Sequence, residues 1–180
     1  MFYIFFADGF EEVEAIATLD VIRRAQIEIE SVGIGSKNVT GSHGITVICD
    51  KTIEKITASD ALDGIILPGG MPGTINLLEN ETVNSFIDYC NSNNLFICAI
   101  CAAPMILGRK GLLKGKNAVC FPGFEEELTD AVISDEYVCI DGKIITSKGM
   151  GSAVKFGLAI VGEFLDKDTA DKLESTLQCI

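Results

Sequence analysis

The run Leu95-Phe96-Ile97-Cys98-Ala99-Ile100-Cys101-Ala102-Ala103-Pro104-Met105-Ile106-Leu107 decides the fold. Its first six residues are continuously apolar, the pattern of a strand buried on both faces, and such strands belong to parallel sheets covered by helices. From Cys101 onward the composition turns to alanine and unbranched side chains, so a helix is predicted to begin at the cysteine. A buried strand breaking straight into a helix is half of a βα unit.

The same alternation extends in both directions. Residues 2–7 form a short aromatic strand ended by Asp8-Gly9, and residues 10–25 follow with helical spacing at Ala15, Leu19 and Ile22. Glu11 and Glu12 at the start of that helix, and Arg23 and Arg24 at its end, complement the dipole. A second strand spans 27–34. Residues 39–40 and 45–49 around Gly41-Ser42-His43-Gly44 read as a hairpin that adds an antiparallel piece to the sheet. Residues 64–67 form a strand stopped by Pro68-Gly69-Gly70, with helices over 74–79 and 82–91. Beyond the central run come a strand over 117–121 and a hairpin, 137–140 with 143–146, turned by Asp141-Gly142. A long apolar helix opens near Ser147–Ser152 and runs to about Leu165, and Asp168 caps a last amphipathic helix. This pattern predicts one α/β domain over residues 1–180, with a mostly parallel sheet and helices on both faces.

Composition narrows the function. The 180 residues carry 26 acidic and 14 basic side chains, a net charge of −12, which argues against nucleic acid and against anionic membrane surfaces. No apolar run reaches the roughly 18 residues of a membrane span. Met1 leads directly into the first strand without a basic leader or cleavage pattern, and the seven cysteines are an odd number in a chain long enough to have its own core. Both features predict a reducing, cytoplasmic setting.

In open parallel sheets, ligands bind beyond the carboxyl ends of the strands. Four junctions lie there: residues 8–14, 68–70, 101–104 and 147–151. Cys101, at a strand end and a predicted helix start, sits where a thiol pKa falls, and a value well below 8.5 is expected. The paired glycines let a backbone approach a ligand, and the N–H groups of Gly70 and Ala102 would form an oxyanion hole facing Cys101. Glu14 differs from Glu11 and Glu12, which the helix dipole explains. It lies near the apolar side of the helix and points at the same crevice, where one of the two groups keeps a proton, and a protonated Glu14 would donate a hydrogen bond to the sulfur. Lys148 is a candidate for binding a small anion at a helix start. His43, the only histidine, reads as a surface or interface loop residue. Cys98 and Cys101 have C-x-x-C spacing, but strand alternation places them on opposite faces. No Cys/His cluster has metal-ligand spacing, and phosphate-binding and dinucleotide glycine patterns are absent, so neither metal nor cofactor is expected.

Four segments carry a resemblance, in order along the chain: Ala7-Asp8-Gly9-Phe10-Glu11-Glu12-Val13-Glu14, Leu67-Pro68-Gly69-Gly70-Met71-Pro72-Gly73, Ala99-Ile100-Cys101-Ala102-Ala103-Pro104, and Thr146-Ser147-Lys148-Gly149-Met150-Gly151. Together they resemble the ThiJ/PfpI superfamily, in its parkinsonism-associated deglycase branch, which shares the class I glutamine amidotransferase-like fold. The resemblance implies a flavodoxin-like three-layer sandwich and a homodimer. It also implies cofactor-free glyoxalase and deglycase activity on reactive carbonyls, peroxide sensing through cysteine sulfinic acid, and a chaperone role. By the same resemblance Cys101 is the nucleophile, Glu14 the carboxyl bonded to it, and Gly70 the oxyanion-side backbone. Two positions depart from the family. Phe121, before Pro122, stands where some members carry a histidine, and the family's Ser-Arg-Gly-Pro-Gly reads Ser147-Lys148-Gly149-Met150-Gly151, which weakens bidentate anion binding.

Three functions follow as expectations. The first is an enzyme converting small dicarbonyls such as methylglyoxal to hydroxy acids. The second is a redox-responsive regulator or holdase using the same cysteine without turnover. The third, a cysteine amidase or peptidase, ranks last because Ala102 stands where peptidase-type members place a histidine.

Overall fold

The computed structural model describes residues 1–179. Its centre is a seven-stranded sheet in the order β10-β11-β7-β6-β1-β2-β5. In chain order the strands are β1 (Phe2–Phe6), β2 (Ile29–Gly33), β3 (Asn38–Thr40), β4 (Thr46–Ile48), β5 (Lys51–Thr52), β6 (Gly64–Leu67), β7 (Phe96–Ile100), β8 (Asn117–Ala118), β9 (Val132–Ile133), β10 (Val138–Asp141) and β11 (Ile144–Ser147). The helices are α1 (Glu12–Arg24), α2 (Gly73–Glu79), α3 (Glu81–Ser92), α4 (Pro104–Arg109), α5 (Ala153–Phe164) and α6 (Lys167–Thr176). Every pairing in the central sheet is parallel except β10 with β11.

Alternation along β1 builds both cores. Phe2, Ile4 and Phe6 enter the layer that α1 and α5 cover, while Tyr3, Phe5 and Ala7 enter the layer holding Leu77, Phe86, Ile87 and Ile106 of α2, α3 and α4. A strand with two buried faces cannot alternate in polarity, which is why its sequence reads as one apolar run. The result is the flavodoxin-like three-layer α/β sandwich that the sequence predicts. No helix among the described residues is long and apolar enough to cross a membrane.

Several local expectations are corrected. The β3–β4 hairpin forms its own two-stranded sheet instead of joining the central one, whose edge is the two-residue β5. The strand expected over 117–121 shortens to β8, which pairs parallel with β9 in a third sheet, because the chain leaves the ladder to run past Cys101: the Phe121 N–H donates to the Cys101 carbonyl at 2.8 Å. Asp166, not Asp168, caps α6, its carboxylate accepting the Thr169 N–H at 2.8 Å.

Topology creates one reversal. From β1 the chain steps outward through β2 to β5, then returns to the other side of β1 and continues through β6, β7 and β11. The loops after β1 and β6 therefore diverge and leave a crevice at their carboxyl ends. Glu14, Gly69-Gly70 and Cys101 enter that crevice from three successive junctions.

Candidate active site

Cys101 does not begin a helix. Its φ is +64°, the left-handed region that a non-glycine residue adopts only under constraint, and α4 starts three residues later with Pro104 in its first turn. Cys101 is held on both sides: its N–H donates to the Ser147 carbonyl of β11 at 2.8 Å, and its carbonyl accepts from Phe121. The tight turn ejects the side chain from the strand end. It also carries Cys101 onto the face that buries Cys98, so strand alternation does not separate these two free thiols as expected.

Glu14 lies in the first turn of α1, fixed there by Glu11, whose carboxylate caps the helix by accepting the Glu14 N–H at 2.7 Å. The Glu14 side chain is 1% exposed. One of its oxygens accepts the Gly69 N–H at 3.0 Å, and the carboxylate accepts the Cys101 thiol. Gly69 is the hinge between the two. A Cβ there would lie 2.5 Å from the Cys101 Cβ and 2.6 Å from Glu14 Oε2, so only glycine lets carboxyl and thiol meet. Gly70 has φ +90° and abuts the Glu11 backbone N, which packs the β6 loop against α1.

Electrostatics overturn the expected low thiol pKa. Burial, then the Glu14 charge, pushes the Cys101 thiol up to about 12, against the N–H groups of Ala102 and Gly70 that face the sulfur and favour its ionised form. Burial likewise pushes Glu14 up to about 7. Both shifts have the same sign, so the thiol keeps its proton through neutral pH while Glu14 loses its own near 7, and the coupled pair carries two protons below that pH and one above it. One group does keep a proton, but above pH 7 it is the thiol and not Glu14, which corrects the expectation of a protonated carboxyl donating to a thiolate. The short α4 and the turn before it leave the dipole too weak and too distant to overcome burial.

Three of the four junctions meet directly, and the fourth borders them. A Cβ on Gly149 would lie 3.5 Å from Glu14 Oε1 and 3.2 Å from the Phe121 ring. Phe121 thus stands at the mouth of the site. The Lys148 ammonium does not touch the pair: it donates to the Asp135 carbonyl at 2.6 Å and lies 5.3 Å from the Tyr137 ring centroid.

One arrangement was invisible to sequence reasoning. Glu12 is 3% exposed and binds the β3–β4 hairpin, accepting the His43 N–H at 2.7 Å, His43 Nδ1 at 3.0 Å and the Ile45 N–H at 3.3 Å. Burial alone would raise its pKa, but the His43 side chain and these N–H groups prevail and hold it at about 2. The helix dipole is therefore not the whole explanation of Glu12. Ligand atoms of Glu11, Glu12 and His43 lie within 4.8 Å of one another, the one such cluster among the described residues, although Glu12 is already occupied by hydrogen bonds. Thirty-one positions separate Glu12 from His43, and no local pattern links them.

A cysteine on a left-handed turn after a central parallel strand, facing a buried glutamate from the first helix, is an arrangement that comparison with other proteins tests. The DJ-1/PfpI family pattern matches residues 2–163. The chain belongs to the DJ-1/PfpI family. Protein dj-1beta of Drosophila melanogaster is 33% identical over 97% of this chain and 94% of its own length. The DJ-1 homolog A of Arabidopsis thaliana is 35% identical over 95% of this chain, which spans only 44% of that longer protein. Among solved structures, oxidised DJ-1 of Toxoplasma gondii superposes with a TM-score of 0.93 at 31% identity, covering 98% of this chain and 96% of the other. A DJ-1 superfamily protein of Salmonella typhimurium, solved as a cysteine-to-alanine mutant, gives 0.91 at 33% identity, with the same coverages. This DJ-1/PfpI chain thus keeps the family's fold over nearly its whole length.

Proposed function

We propose that this DJ-1-like protein is a cofactor-independent, cysteine-dependent enzyme acting on small reactive carbonyls, converting compounds such as methylglyoxal to hydroxy acids. The observation that carries the reading is the Glu14–Cys101 pair, a buried carboxyl against a half-buried thiol beside two inward N–H groups.

The chemistry closes without an external oxidant. The thiol adds to the aldehyde carbon, the N–H groups of Gly70 and Ala102 receive the developing oxyanion, and the thiol proton passes to that oxygen to give a hemithioacetal. Glu14, as carboxylate, takes the proton from that carbon to give an enediol and returns it to the neighbouring carbon, which leaves a thioester on Cys101. Water cleaves the thioester, releasing lactate and restoring the thiol. Each turnover oxidises one carbon and reduces its neighbour. Phe121 cannot exchange protons, so Glu14 does all the acid–base work and turnover is slow.

The test is lactate formation from methylglyoxal by the pure protein, with Cys101→Ser as blank. Many lactate molecules per protein are expected. If none forms, and graded peroxide instead adds oxygens to Cys101 ahead of the buried cysteines, the redox reading replaces this one. Cys101 is more accessible than the five buried thiols but less so than the exposed Cys179, so that second reading requires oxygens on Cys101 ahead of Cys179 as well. The amidase reading has no support, since no histidine reaches the sulfur.

The partner we propose is a second copy of the chain. Val13 and Ile16 of α1 share one exposed apolar surface with Ile45 of the hairpin, and Ile48 on the same hairpin is exposed to 78%. Glu12 and His43 lock the hairpin that carries this patch. Sedimentation equilibrium is expected to return twice the mass of one chain, and Ile48→Glu to return one. A wild-type monomer at micromolar concentration would refute the dimer. All seven cysteines are free, as a cytoplasmic setting allows.

A further inference from the structure

A cavity of about 560 Å³ opens beside the Glu14–Cys101 pair and shares Gly149 and Phe121 with its border. This is the size of a small-molecule site. Tyr137, Phe121 and Met150 give it an apolar wall, and all three are exposed, at 64%, 47% and 55%. Their exposure leaves apolar surface that a ligand would cover.

Its charge is opposite to that of the protein. In a chain of net charge −12, this cavity is lined by two lysines, Lys148 and Lys155, and by no acidic side chain. The Lys148 ammonium spends one proton on the Asp135 carbonyl and keeps two. Lys155 has no ion-pair partner among the described residues and stands between this cavity and a smaller groove beside α6 that Glu163, Asp171 and Glu174 line. The twelve-residue α5 begins at this wall, where a tight turn over Met150–Ser152 leads into it and the Ala153 N–H is spent on the Met150 carbonyl. Two cations therefore line one apolar space next to the reactive pair.

We propose that this cavity takes the anionic end of the substrate: the carbonyl compound suited to this site carries a carboxylate on an aromatic or similarly apolar body, selected by Lys155 with Lys148. The inference rests on the proposed carbonyl chemistry and sharpens its substrate class. Cys101 takes the aldehyde, the wall of Phe121, Tyr137 and Met150 takes the body, and the lysines take the charge.

The experiment compares phenylglyoxal with 4-carboxyphenylglyoxal, equal in reacting group and differing in charge. The wild-type protein is expected to favour the carboxylated compound about tenfold in kcat/KM. That ratio should fall toward one in Lys155→Met, persist in Lys155→Arg, and shrink as salt is raised. Equal use of both compounds by the wild type, or an undiminished preference in Lys155→Met, overturns the proposal while leaving the carbonyl chemistry standing. If neither compound is turned over, the carbonyl reading fails, and binding decides the cavity separately. Benzoate should then perturb the NMR signals of the cavity residues at about tenfold lower concentration than benzyl alcohol, and equal binding of the two overturns the anion site.

Discussion

Gly69→Ala is expected to lower Cys101-dependent carbonyl turnover by about a hundredfold, the scale of effect that a misplacement of about 1 Å has on an aligned reacting pair. The backbone at Gly69 lies outside the left-handed region, so alanine meets no conformational penalty there. The cost is steric and falls on the site. The added methyl would sit 2.5 Å from the Cys101 Cβ, 2.6 Å from Glu14 Oε2 and 3.0 Å from the Ile100 carbonyl, and side chains yield before a central strand does. Glu14 must leave the thiol, and the pair loses its geometry. Gly70→Ala provides the contrast. A Cβ there meets the Glu11 backbone N at 2.3 Å with φ at +90°, so that variant loses fold stability along with activity. Initial rates and thermal unfolding measured side by side separate the two. A Gly69→Ala protein turning over at the wild-type rate would show that the Glu14–Cys101 contact does not carry the chemistry.

Glu14→Gln is expected to make the protein more stable at pH 8 by about 3 kcal/mol, and to leave it equal to wild type below pH 4. The sign follows from the shift. Burial raises the carboxyl from 4.5 to about 7, so the folded state holds this proton more tightly than the unfolded chain. The resulting stability is complete below 4.5 and is lost as pH rises through 7. Glutamine has no proton to lose and still accepts the Gly69 N–H, so its stability stays level across that window. Denaturant unfolding at a series of pH values measures the difference. A glutamine variant less stable than wild type at pH 8 would mean that the Gly69 and Cys101 bonds outweigh the cost of burying the charge. The same variant loses turnover, because glutamine cannot move a proton from carbon. An activity-determining carboxylate that destabilises the fold it sits in is a common trade at functional sites.

The sequence alone determined the α/β alternation, the parallel core strands and three of the groups that meet at the site. These are local properties: the apolar run of β1 is continuous because both faces are buried, and Gly69-Gly70 and Cys101 mark where strands must end. The dipole logic that isolated Glu14 from Glu11 and Glu12 is also local, since it depends on positions within one helical turn. What the tertiary structure alone decided depends on neighbours distant in sequence. Cys101 takes φ +64° because Ser147 and Phe121 hold its two sides, so the helix expected at the cysteine begins at Pro104. The thiol is pushed up, not down, because desolvation and the Glu14 charge act through space and leave no trace in residue order. Glu12 is a buried clasp for a hairpin because folding brings His43 to it, and Lys148 and Lys155 share a cavity because the chain folds around one. Periodicity records which face of an element is buried; which partner is buried against it emerges only when the sheet is assembled.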